Sequence, residues 1–249
     1  VERLIFLPYV DEAKRVQLML ANQLDSCGDS RPPNIRTMVE GNPKITSWTG
    51  RDGALGYLDW WPISLGFNNL EWPFSDPQVR RAINFAVNRD QLVEVGWQGS
   101  GTPAKVPFPA FPPIRRFTDG IQDLIEQSGV GVYDIEKSAG LMEAGGWQKN
   151  GAGMWEKDGK TVKMAINIFG GFQDIGQVLV VQLQRAGFDA SFRQISDAYD
   201  QMSQGEARAY ITGHAGSVRD PYFTMRLYHS RFVQPTGTAA EHFWRWKNT

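Results

Sequence analysis

The stretch from Ser64 to Asp90 constrains the fold more than any other part of the chain. Residues 64–67 alternate polar and apolar side chains, which predicts a short strand, and residues 68–75 contain Asn-Asn and Trp-Pro pairs typical of a connection. Asp76 and Pro77 suit the N-cap and the first position of a helix. Apolar residues then recur at helical spacing and give that helix one apolar face: Val79, Ala82, Ile83 and Ala86. A strand, a turn and a capped helix indicate an α/β fold.

The rest of the chain alternates predicted strands with predicted helices. We predict strands over residues 4–9, 24–27, 44–49, 161–169, 189–195 and 207–212, and a hairpin over 149–160. We predict helices from residue 11 onward and over 34–40, 91–95, 119–128, 133–145, 174–185, 197–204 and 220–229. Residues 99–113 are rich in Gly and Pro, which favours an extended connection. This order predicts layers of helices on a sheet rather than a bundle or a sandwich.

Composition excludes several classes of partner. The chain has 249 residues and a net charge of −1, so it offers no charge for nucleic acid or an anionic membrane. No apolar run reaches about 18 residues, so no transmembrane helix is predicted, and the first residues lack the pattern of a signal peptide. Cys27 is the single cysteine, which excludes an internal disulfide. Nine tryptophans are unusually many and favour a binding surface.

The sequence shows no pattern of a catalytic or metal site. Its three histidines, His214, His229 and His242, lack metal-ligand spacing. Nucleophile-elbow, Walker and dinucleotide-binding motifs are missing as well. Asp197 and Asp200 are close together, but they lie where a helix begins and are suited to capping it. We therefore predict no catalytic residue, no metal, no cofactor and no enzymatic activity.

The opening stretch also carries a family pattern. Asn68, Pro73-Phe74, Asp76, Val79-Arg80, Ala82-Ile83, Ala86 and Arg89 together resemble the signature of family 5 extracellular solute-binding proteins, the peptide-, nickel- and oligosaccharide-binding components of bacterial ABC importers. The resemblance implies a type II periplasmic-binding-protein-like lobe, with a mixed central sheet flanked by helices. It further implies that residues 1–249 form a single α/β lobe, the second lobe of a two-lobed protein.

The segment from Gly213 to Pro221 is the first candidate ligand site. It joins a predicted strand to a predicted helix, and ligands of open α/β sheets bind outside the carboxyl ends of strands. Gly213 lets a ligand approach the backbone. By the resemblance, His214 and Ser217 line the cleft, and peptide binders carry an aspartate at the position of Ser217 that holds the ligand's ammonium group. A neutral hydroxyl does not replace that ion pair, which counts against an ordinary peptide ligand.

Aromatic residues form the second candidate site. Trp48, Trp60, Trp61 and Trp72, with Trp97 nearby in sequence, could stack on sugar rings, although at least half of them are expected in the core or against the missing lobe. Asn68 could supply hydrogen bonds beside them. The predicted ligand-binding set is His214, Ser217, Gly213, Trp48, Trp60, Asn68 and Tyr199. Together these features favour a neutral, ring-containing ligand, an oligosaccharide, over a free peptide.

The resemblance implies a function and its partners. The expected protein captures an oligosaccharide or oligopeptide between two lobes and delivers it to the transmembrane subunits of an ABC permease. It acts in the periplasm or on a lipid anchor outside the cytoplasm, together with the missing first lobe. Two alternatives stay open: a carbohydrate-active hydrolase, and a sensor or chaperone on the same scaffold.

Overall fold

The computed structural model describes residues 2–7, 11–28, 31–53, 55–56, 61–168, 170–213 and 216–247. The Cα positions separate into two compact units. The small unit comprises Val1–Tyr57 and Trp97–Gly101, and the large unit comprises Leu58–Gly96 and Thr102–Thr249.

Two helices build the small unit. They are α1 (Glu12–Leu20) and α2 (Pro32–Gly41). Asp11 is the N-cap of α1, as predicted, and its side chain accepts a hydrogen bond from the backbone N–H of Lys14 at 2.8 Å. An ion pair of 2.8 Å between Arg31 and Glu12 joins the starts of the two helices. The buried residues between them are Val16, Met38, Val39 and Ile45.

The three strands predicted in the small unit are wrong over the residues that the structure describes. Residues 2–7, 24–27 and 44–49 contain no strand, and residues 8 and 9 of the first prediction lie outside the described part. The apolar side chains of residues 4–7 are exposed. The physical reason is that alternation specifies a strand only where a neighbouring strand supplies hydrogen bonds, and the described part of this unit has none.

The large unit is built on a four-stranded sheet with the order β1-β7-β5-β6. In the part of the chain that the structure describes, the strands are β1 (Ile63–Phe67), β2 (Gln148–Lys149), β3 (Trp155–Lys157), β4 (Lys160–Thr161), β5 (Lys163–Ile168), β6 (Asp189–Gln194) and β7 (Ala209–Gly213). Strands β5, β6 and β7 run parallel, and β1 runs antiparallel to β7. The short strands β2, β3 and β4 form a separate antiparallel sheet, which confirms the predicted hairpin.

Helices flank this sheet. They are α3 (Pro77–Ala86), α4 (Arg89–Gln91), α5 (Pro112–Asp119), α6 (Gln122–Ser128), α7 (Ile135–Ala144), α8 (Gln173–Arg185), α9 (Ala198–Gln204) and α10 (Tyr222–Met225). Helix α4 continues as a π-helical turn over Leu92–Gly96. The helix predicted over 119–128 is wrong at its start: α5 ends at Asp119, and α6 begins at Gln122 after the turn at Gly120.

The apolar face of α3 lies in the core, as its spacing predicts. Asp76 caps this helix, with its side chain accepting from the N–H of Gln78 at 2.8 Å. The four predicted core residues are buried: Val79, Ala82, Ile83 and Ala86. They join residues of β5, β7 and α8 in one cluster, whereas Met202, Ala207 and Tyr210 form a smaller cluster. A mixed sheet between helices confirms the predicted fold class.

Candidate functional site

The candidate site is one edge of the large unit's sheet. The parallel strands β5, β6 and β7 all end there, and the antiparallel β1 begins there, because Ile63 pairs with Gly213. Open α/β sheets bind ligands outside the carboxyl ends of their strands. We call the residues at these strand ends, with the segments that lead directly from them, the carboxyl edge.

Trp61 lies against Gly213 at the carboxyl edge. A Cβ atom added to Gly213 would be 2.8 Å from Cβ of Trp61 and 2.9 Å from its ring atom Cε3. The missing side chain therefore makes room for the indole. Trp61 is 47% exposed, so part of its apolar surface is open to solvent. The sequence analysis includes Trp61 in the aromatic group but predicts a ligand contact for its neighbour Trp60. Trp60 and His214 lie outside the described residues.

Ser217 is buried inside the loop that follows β7. It is 1% exposed, and its Oγ accepts a hydrogen bond from the N–H of Thr224 at 3.0 Å. In return, the N–H of Ser217 donates to Oγ1 of Thr224, also at 3.0 Å. This pair holds the loop to the start of α10. Contrary to the cleft-lining position predicted for it, Ser217 presents no side chain to a ligand in this arrangement.

Asn68 is also structural in this arrangement. Its side chain is fully buried, which differs from the predicted ligand contact. The amide nitrogen Nδ2 donates to the carbonyl of Gly205 at 2.8 Å and to Oγ1 of Thr236 at 3.1 Å. The oxygen Oδ1 accepts from the N–H of Leu70 at 3.0 Å. An asparagine whose donors and acceptor are all used within the protein fixes the turn after β1 and is not free to bind a solute.

Two further predicted site residues are exposed but belong to different places. Trp48 lies in the small unit and is 92% exposed. Tyr199 lies on α9 of the large unit and is exposed, with its ring edge-on to Phe243 at 5.4 Å between centroids. Gly213 thus packs against Trp61, and Tyr199 is exposed on α9, the helix that follows β6.

Sequence reasoning missed a chain of polar side chains beside the carboxyl edge. Asn167, the next-to-last residue of β5, accepts a hydrogen bond from Nε of Arg193 at 2.7 Å and donates to Oε1 of Gln201 at 2.9 Å. Gln201 in turn donates to a carboxylate oxygen of Asp197 at 3.0 Å. The sequence feature that could have revealed this chain is the polar Asn167 within the apolar run of β5. Asn167 is buried, and a buried polar side chain needs hydrogen-bond partners. This chain links β5, β6 and α9.

The chain's last described segment contributes a buried positive charge. Arg245 is fully buried, and its guanidinium donates to the carbonyls of Ser203 at 2.8 Å, Thr238 at 2.9 Å and Phe243 at 3.1 Å. Ser203 lies in the last turn of α9, where the helix dipole favours a cation. Burial lowers the pKa of Arg245. Burial and the charge of Arg245 lower the pKa of His242 from 6.5 to about 4, so this imidazole is neutral at physiological pH.

A cavity of about 500 Å³ lies within the large unit, next to the loop that follows β7. Its walls are the first turns of α5 and the end of the loop: Pro112, Pro113, Arg116, Arg219 and Asp220. The side chain of Asp220 accepts a hydrogen bond from the N–H of Tyr222 at 2.9 Å. Among the described residues, no group of three or more His, Cys, Asp or Glu side chains is placed to hold a metal ion.

The mixed sheet with its flanking helices is an α/β fold, and comparison with known proteins identifies the family. The model of bacterial extracellular solute-binding proteins, family 5 (middle region), matches residues 1–234. The chain therefore belongs to this family, which confirms the resemblance carried by the segment around α3.

Curated relatives match parts of the chain. It is 37% identical over 117 residues to heme-binding protein A of Haemophilus influenzae, covering 46% of this chain and 18% of the relative. It is 33% identical over 117 residues to the dipeptide-binding protein of Escherichia coli, covering 46% and 20%. A third relative, the nickel-binding periplasmic protein of Escherichia coli, is 22% identical over 166 residues, covering 64% and 30%. The matches span less than a third of each relative.

Solved structures share the fold. An oligopeptide-binding protein of Thermotoga maritima with bound mannohexaose aligns with a TM-score of 0.80 and 17% identity, over 97% of this chain and 45% of that one. The oligopeptide-binding protein AppA of Bacillus subtilis, in complex with a nonapeptide, aligns with a TM-score of 0.71 and 20% identity, over 96% and 44%.

In the described part of the chain, none of the helices is both long and apolar enough to cross a bilayer.

Proposed function

We propose that the protein is the solute-binding component of an ABC importer and captures its ligand at the carboxyl edge. The observation that supports this most is the family match over residues 1–234, in a chain whose carboxyl edge carries the partly exposed Trp61. The ligand would contact Trp61 and approach the backbone at Gly213, and Tyr199, on the helix that follows β6, is a further proposed contact. His214 and Trp60 complete the set proposed for the large unit, and Trp48 stays a separate exposed aromatic residue of the small unit.

In the binding cycle that we propose, the whole protein has two lobes. Residues 1–249 would form one α/β lobe, and the solved relatives, of which this chain covers less than half, support a second lobe elsewhere. Ligand would enter between the lobes, a hinge would close, and the closed form would dock on the transmembrane subunits of a permease in the periplasm or at a lipid anchor. No covalent bond changes in this cycle.

An oligosaccharide or an oligopeptide is the proposed ligand. Solved relatives hold a mannohexaose and a nonapeptide, so this fold accommodates both classes in those proteins. The exposed face of Trp61 supports a ring on the ligand, because indole surfaces stack on the apolar faces of sugars and on aromatic side chains. The buried hydroxyl of Ser217 offers no charge to the ammonium group of a peptide.

Calorimetry on the complete protein tests the proposal, with a panel of oligosaccharides and a panel of di- to hexapeptides. We expect one panel to bind and to raise the melting temperature. Trp61→Ala should weaken that binding about tenfold, since a stacking ring contributes on the order of 1 kcal/mol. The matched control is Trp72→Ala, because Trp72 is similarly exposed, at 41%, but packs beside Trp147.

Mass spectrometry of the recovered ligand separates a receptor from an enzyme. A receptor returns the bound solute unchanged, whereas the hydrolase alternative would return cleavage products. Turnover of the ligand, or equal losses in Trp61→Ala and Trp72→Ala, would contradict the proposal.

A further inference from the structure

Two arginines face one cavity beside the loop that follows β7. Arg116 comes from the second turn of α5, and Arg219 comes from the loop; both are exposed residues that line the cavity of about 500 Å³. This volume falls within the roughly 300–1,000 Å³ typical of small-molecule sites. The two arginines are far apart in sequence, so the fold brings them to the same space.

The charges of this cavity do not cancel. Among the described residues that line the cavity, Asp220 is the one carboxylate, and the backbone N–H of Tyr222 already donates to one of its oxygens. The ion pairs between described residues lie elsewhere, at Glu12, Glu71 and Glu241. Arg116 lies over the ring of Phe117 at 4.6 Å, which leaves the edges of the guanidinium available as donors. Two guanidinium groups against one carboxylate give the cavity a net positive charge.

We propose that this cavity binds a carboxylate group of the transported solute, through Arg116 and Arg219. Guanidinium groups match carboxylates in geometry and form charge-assisted hydrogen bonds with them. Arg219 comes six residues after Gly213 in the chain, and in this proposal a solute stacked on Trp61 extends an acidic group to the cavity. The inference rests on the proposed function. It narrows the ligand to an acidic oligosaccharide or a peptide with a free carboxyl end, and it departs from the neutral ligand that the sequence suggested.

Solutes that differ only in the carboxylate test this inference on the complete protein. The probes are trigalacturonate against its methyl ester, and trialanine against trialanine amide. In the pair that binds, the affinity of the acid should be at least about tenfold higher than that of its neutral partner. The double variant Arg116→Gln, Arg219→Gln should remove that preference and keep the affinity for the neutral partner. Arg115→Gln is the matched control on the same helix, and it should keep the preference.

Two outcomes overturn the inference while the proposed function stands. One is equal binding of acid and neutral partner, and the other is a preference that survives in the double variant. Both results would still show a solute receptor.

A second measurement decides the case in which none of the four solutes binds. The Nε–H signals of Arg116 and Arg219, assigned by their glutamine variants, are followed by NMR during titration with sodium glutarate and with neutral glutaramide. A joint shift with glutarate alone, without a shift of Arg115, supports the carboxylate site even though the proposed ligands fail. No joint shift overturns the inference.

Discussion

Ser217 and Thr224 hold each other through two reciprocal hydrogen bonds, each 3.0 Å long and each between the side-chain oxygen of one residue and the backbone N–H of the other. Both residues are buried. The pair joins the loop after β7 to the third residue of α10, seven positions further along the chain. The same loop also carries Arg219, which lines the cavity.

Removing either member of the pair should destabilise the loop. Ser217→Ala and Thr224→Val each leave a buried backbone N–H without its partner, at a cost of about 1–2 kcal/mol. Because both substitutions break the same arrangement, the double variant should cost less than the two single costs added together. Urea denaturation of the four proteins measures this coupling. Fully additive costs would show that the two hydrogen bonds act independently.

Gly213→Ala should displace the indole of Trp61. The new methyl group would lie 2.8 Å from Cβ of Trp61, closer than two such atoms approach, so the tryptophan must move. Its partly exposed ring can swing outward, which limits the destabilisation to about 1–2 kcal/mol. Protein labelled with 5-fluorotryptophan should show a shifted ¹⁹F signal for Trp61, assigned by Trp61→Phe.

Gly151→Ala is the control for this experiment. A Cβ atom at Gly151 meets nothing within 4 Å, so the Trp61 signal should stay in place. An unchanged Trp61 signal in Gly213→Ala would contradict the close packing of these two residues.

The sequence predicted the large unit well because its signals are local and agree with one another. Asp76 with Pro77 fixes the start of α3, and the apolar spacing of α3 fixes its buried face. The small unit was predicted poorly, because the described residues of its three predicted strands form no strand. A strand needs a partner strand, and partners come from the tertiary arrangement rather than from the segment itself.

The candidate site was only partly predictable. The rule that ligands lie beyond the carboxyl ends of strands correctly drew attention to the loop after Gly213. It could not tell whether a side chain on that loop faces outward, and the hydroxyl of Ser217 is buried, where it accepts from the N–H of Thr224 in α10. Likewise, the family pattern singled out Asn68, whose partners Gly205 and Thr236 are more than 130 residues away in sequence. Contacts of that range are set by the fold.

Arg245→Met should destabilise the large unit strongly. The substitution keeps an apolar stem but leaves the carbonyls of Ser203, Thr238 and Phe243 without their donor, at a cost of about 2–4 kcal/mol. Arg208→Met is the matched control, because Arg208 is 61% exposed at its side chain and its ion pair with Glu71 is long, at 4.0 Å. That control should change the free energy of unfolding by less than about 0.5 kcal/mol. Equal losses in both variants would contradict a structural role for the buried guanidinium.

His242 should make the protein less stable in mild acid. Burial and the charge of Arg245 lower its pKa from 6.5 to about 4 in the folded state. Between these two values the unfolded chain binds a proton that the folded chain does not, so stability falls as the pH decreases from about 6.5 to 4, and the loss is complete below 4. The difference in pKa corresponds to at most about 3 kcal/mol.

Variants of two histidines isolate this contribution to the pH dependence. His242→Phe keeps a buried ring without a titrating group, so its free energy of unfolding should vary less with pH over this range than that of the wild type. His229 is the control, because it is exposed, and His229→Gln should keep the wild-type slope. Urea denaturation at half-unit steps from pH 4 to 7 measures the slopes. If His242→Phe kept the wild-type slope, the prediction would be wrong. The acid sensitivity would then come from other titrating groups, such as carboxylates, rather than from this imidazole.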